Sequence, residues 1–182
     1  MSKKVLVIST SLRKNSNSDI LANQFINGVK ETGCEVEKIS LINKQIGFCK
    51  GCLVCQNKQP CVIKDDANEI VQKINDADII AFATPIYFYE MSGQMKTLLD
   101  RTNPLFVKDY QFRDIYLLAT CAEDDVSAVD TTIQGLKGWI ECFEKATLKG
   151  VVKGIGVTQT GEIANHEKVM NEAYLLGKGI VD

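Results

Sequence analysis

The stretch Lys4-Val5-Leu6-Val7-Ile8-Ser9, running on into Thr10-Ser11-Leu12-Arg13-Lys14-Asn15-Ser16-Asn17-Ser18, decides the fold. Its first part is β-branched and apolar on both faces, the pattern of a strand buried between two layers of helices. Its second part is a turn dense in hydroxyls and amides with one guanidinium at Arg13. Residues 18–32 then carry Ile20, Leu21, Phe25, Ile26 and Val29 at helical spacing. Strand, polar turn and helix in that order predict a β-α unit whose turn sits at the strand's carboxyl end.

The same alternation continues along the chain. Residues 35–41 alternate as a second strand. Asp65-Asp66 open a helix with Ile70, Val71 and Ile74 as its buried stripe, and residues 78–84 form the most apolar strand, ended by Pro85. Residues 91–101 are expected as a helix with Met95, Leu98 and Leu99 inward, followed by a strand at 114–120, a helix at 133–146 and a strand at 150–157. A last helix at 166–179 turns Val169, Met170, Ala173, Leu175 and Leu176 inward. Five strands alternating with helices imply an α/β three-layer sandwich, a parallel sheet with helices on both faces. Ligands then bind at the carboxyl ends of the strands, which carry the turn at 9–18, the loop at 84–93 and the loop at 120–125.

A length of 182 residues with 45% hydrophobic content suits a single domain over 1–182, and no repeat or low-complexity linker divides it. A net charge of -2 leaves no broad basic footprint for nucleic acid. No run approaches the roughly twenty apolar residues that span a bilayer, and Lys3 and Lys4 are followed by only the short run Val5-Leu6-Val7-Ile8, too short for a secretory segment, so a soluble, cytoplasmic protein without membrane contact is expected. Seven cysteines in such a chain argue for reduced thiols or metal ligands over a disulfide framework.

Four of those cysteines, Cys49, Cys52, Cys55 and Cys61, crowd an aperiodic loop at 48–61. Thiolates at this spacing suit an iron-sulfur cubane. Zinc, a redox-sensitive thiol pair and inert packing are the other readings. Cys34 and Cys142 are expected to pack against the core, and Cys121 to fill space beside the third loop. The first turn lacks the glycines of a dinucleotide fingerprint or a P-loop. Ser11, Ser16, Asn17 and Ser18, with the next helix's amino end and Arg13, suit a terminal phosphate. A solvated helix cap explains the same residues locally. Tyr87 and Phe88, in the loop after Pro85, suit the faces of a planar cofactor better than a core position. Thr120, Cys121 and Ala122 lie where they would rim the same site. Lys96, Asp100 and Arg101 have the spacing of a helix-surface ion pair, and the single histidine, His166, is given no catalytic role.

Taken together, these segments resemble the flavodoxin-like NAD(P)H-dependent FMN reductase superfamily. Ser11-Leu12-Arg13 with Ser16-Asn17-Ser18 is similar to its FMN phosphate loop. Thr84-Pro85-Ile86-Tyr87-Phe88, followed by Ser92-Gly93-Gln94-Met95-Lys96, is similar to its isoalloxazine loop and the helix after it. Cys49-Lys50-Gly51-Cys52-Leu53-Val54-Cys55 with Cys61 resembles the CxxCxxCx5C motif of the iron-sulfur flavoprotein branch. Thr10 stands where a glycine is frequent and Ala67 where a methionine often follows the acidic pair. The resemblance implies strand order 2-1-3-4-5 and FMN held by Ser11, Arg13, Ser16, Asn17, Ser18, Pro85, Ile86, Tyr87, Phe88, Thr120 and Cys121. It also implies a 4Fe-4S cluster on Cys49, Cys52, Cys55 and Cys61, NAD(P)H as co-substrate, and a homodimer or homotetramer. Electrons would pass from reduced nicotinamide through flavin to a quinone, a flavin or a redox protein. A non-enzymatic electron carrier is the rival reading.

Overall fold

The computed structural model describes residues 2–181. Strand β1 (Lys4–Ser9) is buried from Val5 onward and has a parallel neighbour on each side, β2 (Glu35–Ser40) and β3 (Ile79–Tyr87). β3 pairs in parallel with β5 (Asp114–Thr120), and β5 with the edge strand β6 (Thr147–Gly154). The order is β2-β1-β3-β5-β6, with a short strand β4 (Glu90–Met91) pairing antiparallel to the end of β3. The five parallel strands keep the expected succession; the unforeseen β4 is what shifts the numbering of the last two.

Alternation along β1 explains the layers. Val5 and Val7 join the core under helices α1 (Asn17–Lys30) and α6 (Glu167–Lys178). Leu6 and Ile8 join the opposite core, closed by α3 (Ala67–Asp76), α4 (Gly93–Arg101) and α5 (Asp130–Ile140). A four-residue helix, α2 (Val54–Asn57), lies within the cysteine segment. Helices α1 and α6 touch through glycines. A Cβ on Gly28 would come within 2.0 Å of the Tyr174 carbonyl oxygen, and one on Gly177 within 2.1 Å of the Phe25 carbonyl oxygen. No other residue permits that approach.

Several boundaries differ from the sequence expectation, each for a local reason. β3 continues through Pro85 to Tyr87, because proline's fixed φ is compatible with extended backbone and Pro85 is the last position paired to β5, opposite Thr120. Helix α4 starts at Gly93 rather than at 91, since the Ser92 hydroxyl caps it by accepting from the Met95 N–H at 3.3 Å. α5 stops at Ile140, so Cys142 lies past the helix and is exposed instead of packed inward. β6 starts at Thr147, three residues early, accommodated by a register shift between Ile115 and Tyr116. Leu175 is 54% exposed and belongs to the outer face of α6.

Arg101, expected on a helix surface, is the largest fully buried side chain. The surface pair is Lys96 with Asp100, 2.5 Å apart. Arg101 forks onto Asp65, with Nη1 2.6 Å from Oδ2 and Nη2 2.9 Å from Oδ1, and also donates to the carbonyls of Gly47 and Ile63. Burial alone would push the Asp65 pKa up, but the Arg101 hydrogen bonds and the Gly47 N–H outweigh it and hold the carboxyl below its ordinary value. Removing one partner of such a pair strands the other charge. Arg101→Met is therefore expected to lower the unfolding free energy by about 3–5 kcal/mol, measured by urea titration. A loss below about 1 kcal/mol would place the pair with ordinary surface bridges.

Candidate functional site

The carboxyl ends of β1, β3 and β5 bring three loops together. After β1, Ser9, Thr10 and Ser11 are almost fully buried, as are Ser16, Asn17 and Ser18, while Leu12 is 53% exposed and Arg13 lies at the surface. Ser16 is the N-cap of α1, accepting from the Asp19 N–H at 3.2 Å, and its Oγ lies 3.4 Å from that of Ser18. The Ser11 hydroxyl accepts from the Arg13 N–H at 3.2 Å. The Ser9 hydroxyl is buried with no partner. A row of buried hydroxyls beneath a fourteen-residue helix's amino end, one of them unsatisfied, suits a phosphate monoester. The residues present therefore fit the FMN phosphate.

Two predicted contacts have additional duties. Asn17 donates to the Gln159 carbonyl at 3.0 Å and accepts from the Ile163 N–H at 3.2 Å, so its amide fastens the loop after β6 against the turn. Arg13 donates to the Thr160 hydroxyl of the same loop. Thr160 and Gln159 were not foreseen as neighbours of the turn, because only the tertiary fold returns them there.

Behind the turn is a cluster whose three members lie too far apart in the chain to be expected as a unit. Thr10, Thr84 and Ser92 are each fully buried. The Ser92 hydroxyl lies 3.0 Å from that of Thr10 and 3.2 Å from that of Thr84, and the Ser92 N–H donates to Thr84 Oγ1 at 3.1 Å. Thr10 also donates to the Ala83 carbonyl at 3.0 Å. The threonine that replaces a frequent glycine is thus the bridge between the first and second loops.

Beyond Thr84 the chain makes a tight hairpin. Tyr87 pairs with Glu90, leaving Phe88 and Tyr89 as a two-residue turn with φ of 51° and 65°. Tyr87 and Tyr89 are half exposed, and Phe88 is wholly exposed. These aromatics are not core residues. Pro85 and Ile86 are partly buried at the hairpin's base. In the third loop, Thr120 and Cys121 are buried at the end of β5. Burial pushes the Cys121 thiol pKa up, the nearby Glu123 charge adds to it, and a hydrogen bond to the Glu123 carbonyl only partly offsets both. This thiol is no nucleophile.

The cysteine segment lies on the α4 side. Cys49 and Cys52 are exposed, Cys61 is half-buried and Cys55, on α2, is buried. The Cys55 pKa is raised first by burial and then by the charges of Cys61 and Cys49, against a 3.4 Å hydrogen bond from Asn103 Nδ2. Among the described residues no three His, Cys, Asp or Glu side chains converge to hold a single metal ion. Cys34 packs partly buried against the α1-α6 core, as expected. A cavity of about 340 Å³ bounded by Leu12, Ile46, Phe48, Gly93 and Gln94 separates the cysteine segment from the first turn.

Comparison with known proteins supports the assembly. The sequence profile described as NADPH-dependent FMN reductase matches residues 3–140. An iron-sulfur flavoprotein of Methanocaldococcus jannaschii is 40% identical over 111 residues, 61% of this chain and 57% of that protein. One of Methanosarcina thermophila is 30% identical over 138 residues, 75% of this chain and 72% of that protein. The matched stretch thus spans little more than half the length of the first of these relatives. The solved structure of an NAD(P)H:quinone oxidoreductase from Methanothermobacter marburgensis superposes with a TM-score of 0.78 at 17% identity, covering 100% of this chain and 98% of that one, which is a likeness of fold. A profile spanning most of the chain, together with iron-sulfur flavoproteins 30–40% identical to it, places this chain in the NADPH-dependent FMN reductase family, iron-sulfur flavoprotein branch.

Proposed function

We propose that this protein is an FMN-dependent NAD(P)H oxidoreductase whose cysteine segment carries a 4Fe-4S cluster on Cys49, Cys52, Cys55 and Cys61. The observation that carries the reading is the row of buried hydroxyls at Ser9, Ser11, Ser16 and Ser18, set beside an exposed aromatic hairpin on the next strand. When bound, FMN supplies the chemistry, taking hydride from the nicotinamide and releasing electrons singly or in pairs. The chain's own groups bind and orient. Ser11, Ser16 and Ser18 hold the phosphate with the α1 amino end, and Arg13, anchored by Thr160, adds charge at its solvent side. Pro85, Ile86, Tyr87 and Phe88 would hold the ring, with Thr120 and Cys121 of the third loop beside them.

No acid-base group is needed at the site, and the raised pKa of Cys121 keeps that thiol neutral beside the ring edge. Acceptors of the proposed enzyme are a quinone, a free flavin or a redox protein. The exposed Tyr87, Phe88 and Tyr89 favour assembly with a second copy, as a homodimer or homotetramer, working in a reducing cytoplasm. Among the described residues no helix is long and apolar enough to cross a membrane. The four-cysteine segment also favours a second reading, an electron carrier exchanging only with protein partners.

NAD(P)H oxidation by FMN-loaded protein separates the two: steady turnover with a small quinone is expected, and none with any small acceptor would leave the carrier. Anaerobic purification should yield both flavin and iron-sulfur absorption with about four irons and four sulfides per chain; flavin bands without iron would remove the cluster. Arg13→Ala is expected to weaken FMN binding by about 1–3 kcal/mol, read by flavin fluorescence titration, and unchanged affinity would dismiss the contact. Replacing Phe88-Tyr89 by Asn-Gly should raise unfolding stability by about 1–2 kcal/mol, since that pair suits two positive-φ positions. The same change should slow turnover, and a variant as active as the parent would show that the aromatics play no part.

A further inference from the structure

We infer that Arg101 is a positioning residue for the cysteine segment: its guanidinium latches residues 47 and 63–65 together and holds its fifth N–H, on Nε, for the sulfur of Cys61. Four of the five guanidinium donors are spent at the two ends of the segment. Nη1 reaches the Gly47 carbonyl at 2.8 Å and Asp65, and Nη2 reaches the Ile63 carbonyl at 3.1 Å and Asp65. Asp65 closes the same ring from the other side by accepting the Gly47 N–H at 2.8 Å. The segment that carries all four cysteines therefore begins and ends on one buried ion pair.

The Nε–H is buried with no hydrogen-bond partner in the protein. Such orphans are rare, and each points to an acceptor that completes it. Cys61 stands two residues before Ile63, and Asn68 Nδ2 donates at 3.1 Å to the carbonyls of both, folding this short turn against the guanidinium. Burial lowers the Arg101 pKa, Asp65 more than offsets it, and the nearby Cys61 side chain adds a smaller upward push. A neutral thiol is a weak acceptor, whereas a thiolate, free or metal-bound, is a better match for a guanidinium N–H. Lysine, a point charge without the fork, serves neither the latch nor the sulfur.

The placement has a consequence for electron transfer. Arg101 ends the helix that Ser92 begins, so the cysteine segment hangs from the same nine-residue rod, about 13 Å long at the helical rise, whose other end sits under the flavin loops. The latch does not depend on FMN; only the identity of Cys61 as a cluster ligand rests on the proposed function. In that case the N–H···S contact is one of the levers that set a cluster's potential.

The test uses the full chain, prepared without iron and offered FMN, with nitrogen-15 labelling. The Arg101 Nε–H resonance is expected to be protected from exchange at least about a hundredfold relative to that of exposed Arg13 and to shift in Cys61→Ala but not in Cys142→Ala. Arg101→Lys should speed tryptic cleavage at Lys50, Lys58 and Lys64 by about tenfold or more while cleavage outside residues 47–65 is unchanged. A resonance unmoved by Cys61→Ala, or one shifted equally by Cys142→Ala, overturns the assignment, and so does wild-type cleavage in folded Arg101→Lys protein. If that variant does not fold, the Cys61→Ala spectrum decides alone. Flavin fluorescence in the same samples reports on the FMN site separately, so failure there leaves the latch standing.

Discussion

Helix α4 is pinned at both ends by buried polar contacts, and the placement of the candidate site depends on that constraint. At its amino end the Ser92 hydroxyl caps the helix and meets Thr10 and Thr84, which belong to the loops after β1 and β3. At its carboxyl end Arg101 closes the cysteine segment through Asp65. Between them Met95, Leu98 and Leu99 are buried in the core, which fixes the helix in roll and along its axis. Neither polar group can leave its partners without burying an unpaired hydroxyl or charge. The rod is therefore rigid, and the first turn and the cysteine segment are held at a fixed spacing from each other.

The same economy makes a turn with little positive charge suitable for a phosphate. Strand β1 is buried and lies between two parallel neighbours, so its carboxyl end delivers backbone and hydroxyl donors into a space shielded from water. In that setting a hydrogen bond counts for more than in solvent. Arg13, which shares the turn with Lys14, stays outside and is tethered to Thr160, where it adds no buried charge. The loop after β6 comes to the turn because Asn17 binds it through both ends of its amide. One side chain thus joins the first and last β-α connections of the sheet.

Much of this was legible in the sequence because the signals were local. The double-faced apolar run of β1, the helical spacing of Leu21, Phe25 and Val29, and the clustered cysteines each announce themselves within about a dozen residues. What was illegible depends on distant partners. Arg101 looks like a surface charge until the fold sets Asp65 beside it, and Thr10 looks like a lost glycine until Ser92 and Thr84 close around its hydroxyl. Cys142 was placed inward because the helical pattern seemed to run on; the helix stops two residues earlier, and the thiol faces out into a cavity of about 460 Å³ that Cys49 also lines. Pro85 reads as a strand end by proline's usual behaviour, yet an extended strand with no further parallel partner tolerates it.

The hairpin after Pro85 shows where the chain departs from the rules that shape the rest. A two-residue turn with both residues at positive φ is the natural place for Asn-Gly, and here it holds Phe88 and Tyr89. Bulky residues in that region cost on the order of 1–3 kcal/mol each, and neither recovers the cost by burial, since Phe88 is fully exposed and Tyr89 is 56% exposed. No packing within the single chain therefore explains the choice. The paired contacts at Ile86 with Met91 and Tyr87 with Glu90 hold the turn open against its preference, with Met91 seated in the core as the fixed point. A strained, rigid aromatic edge beside a row of buried hydroxyls is stable only because the sheet and α4 are set independently of it, and it presents its faces to whatever planar ligand or second chain meets the carboxyl ends of the strands.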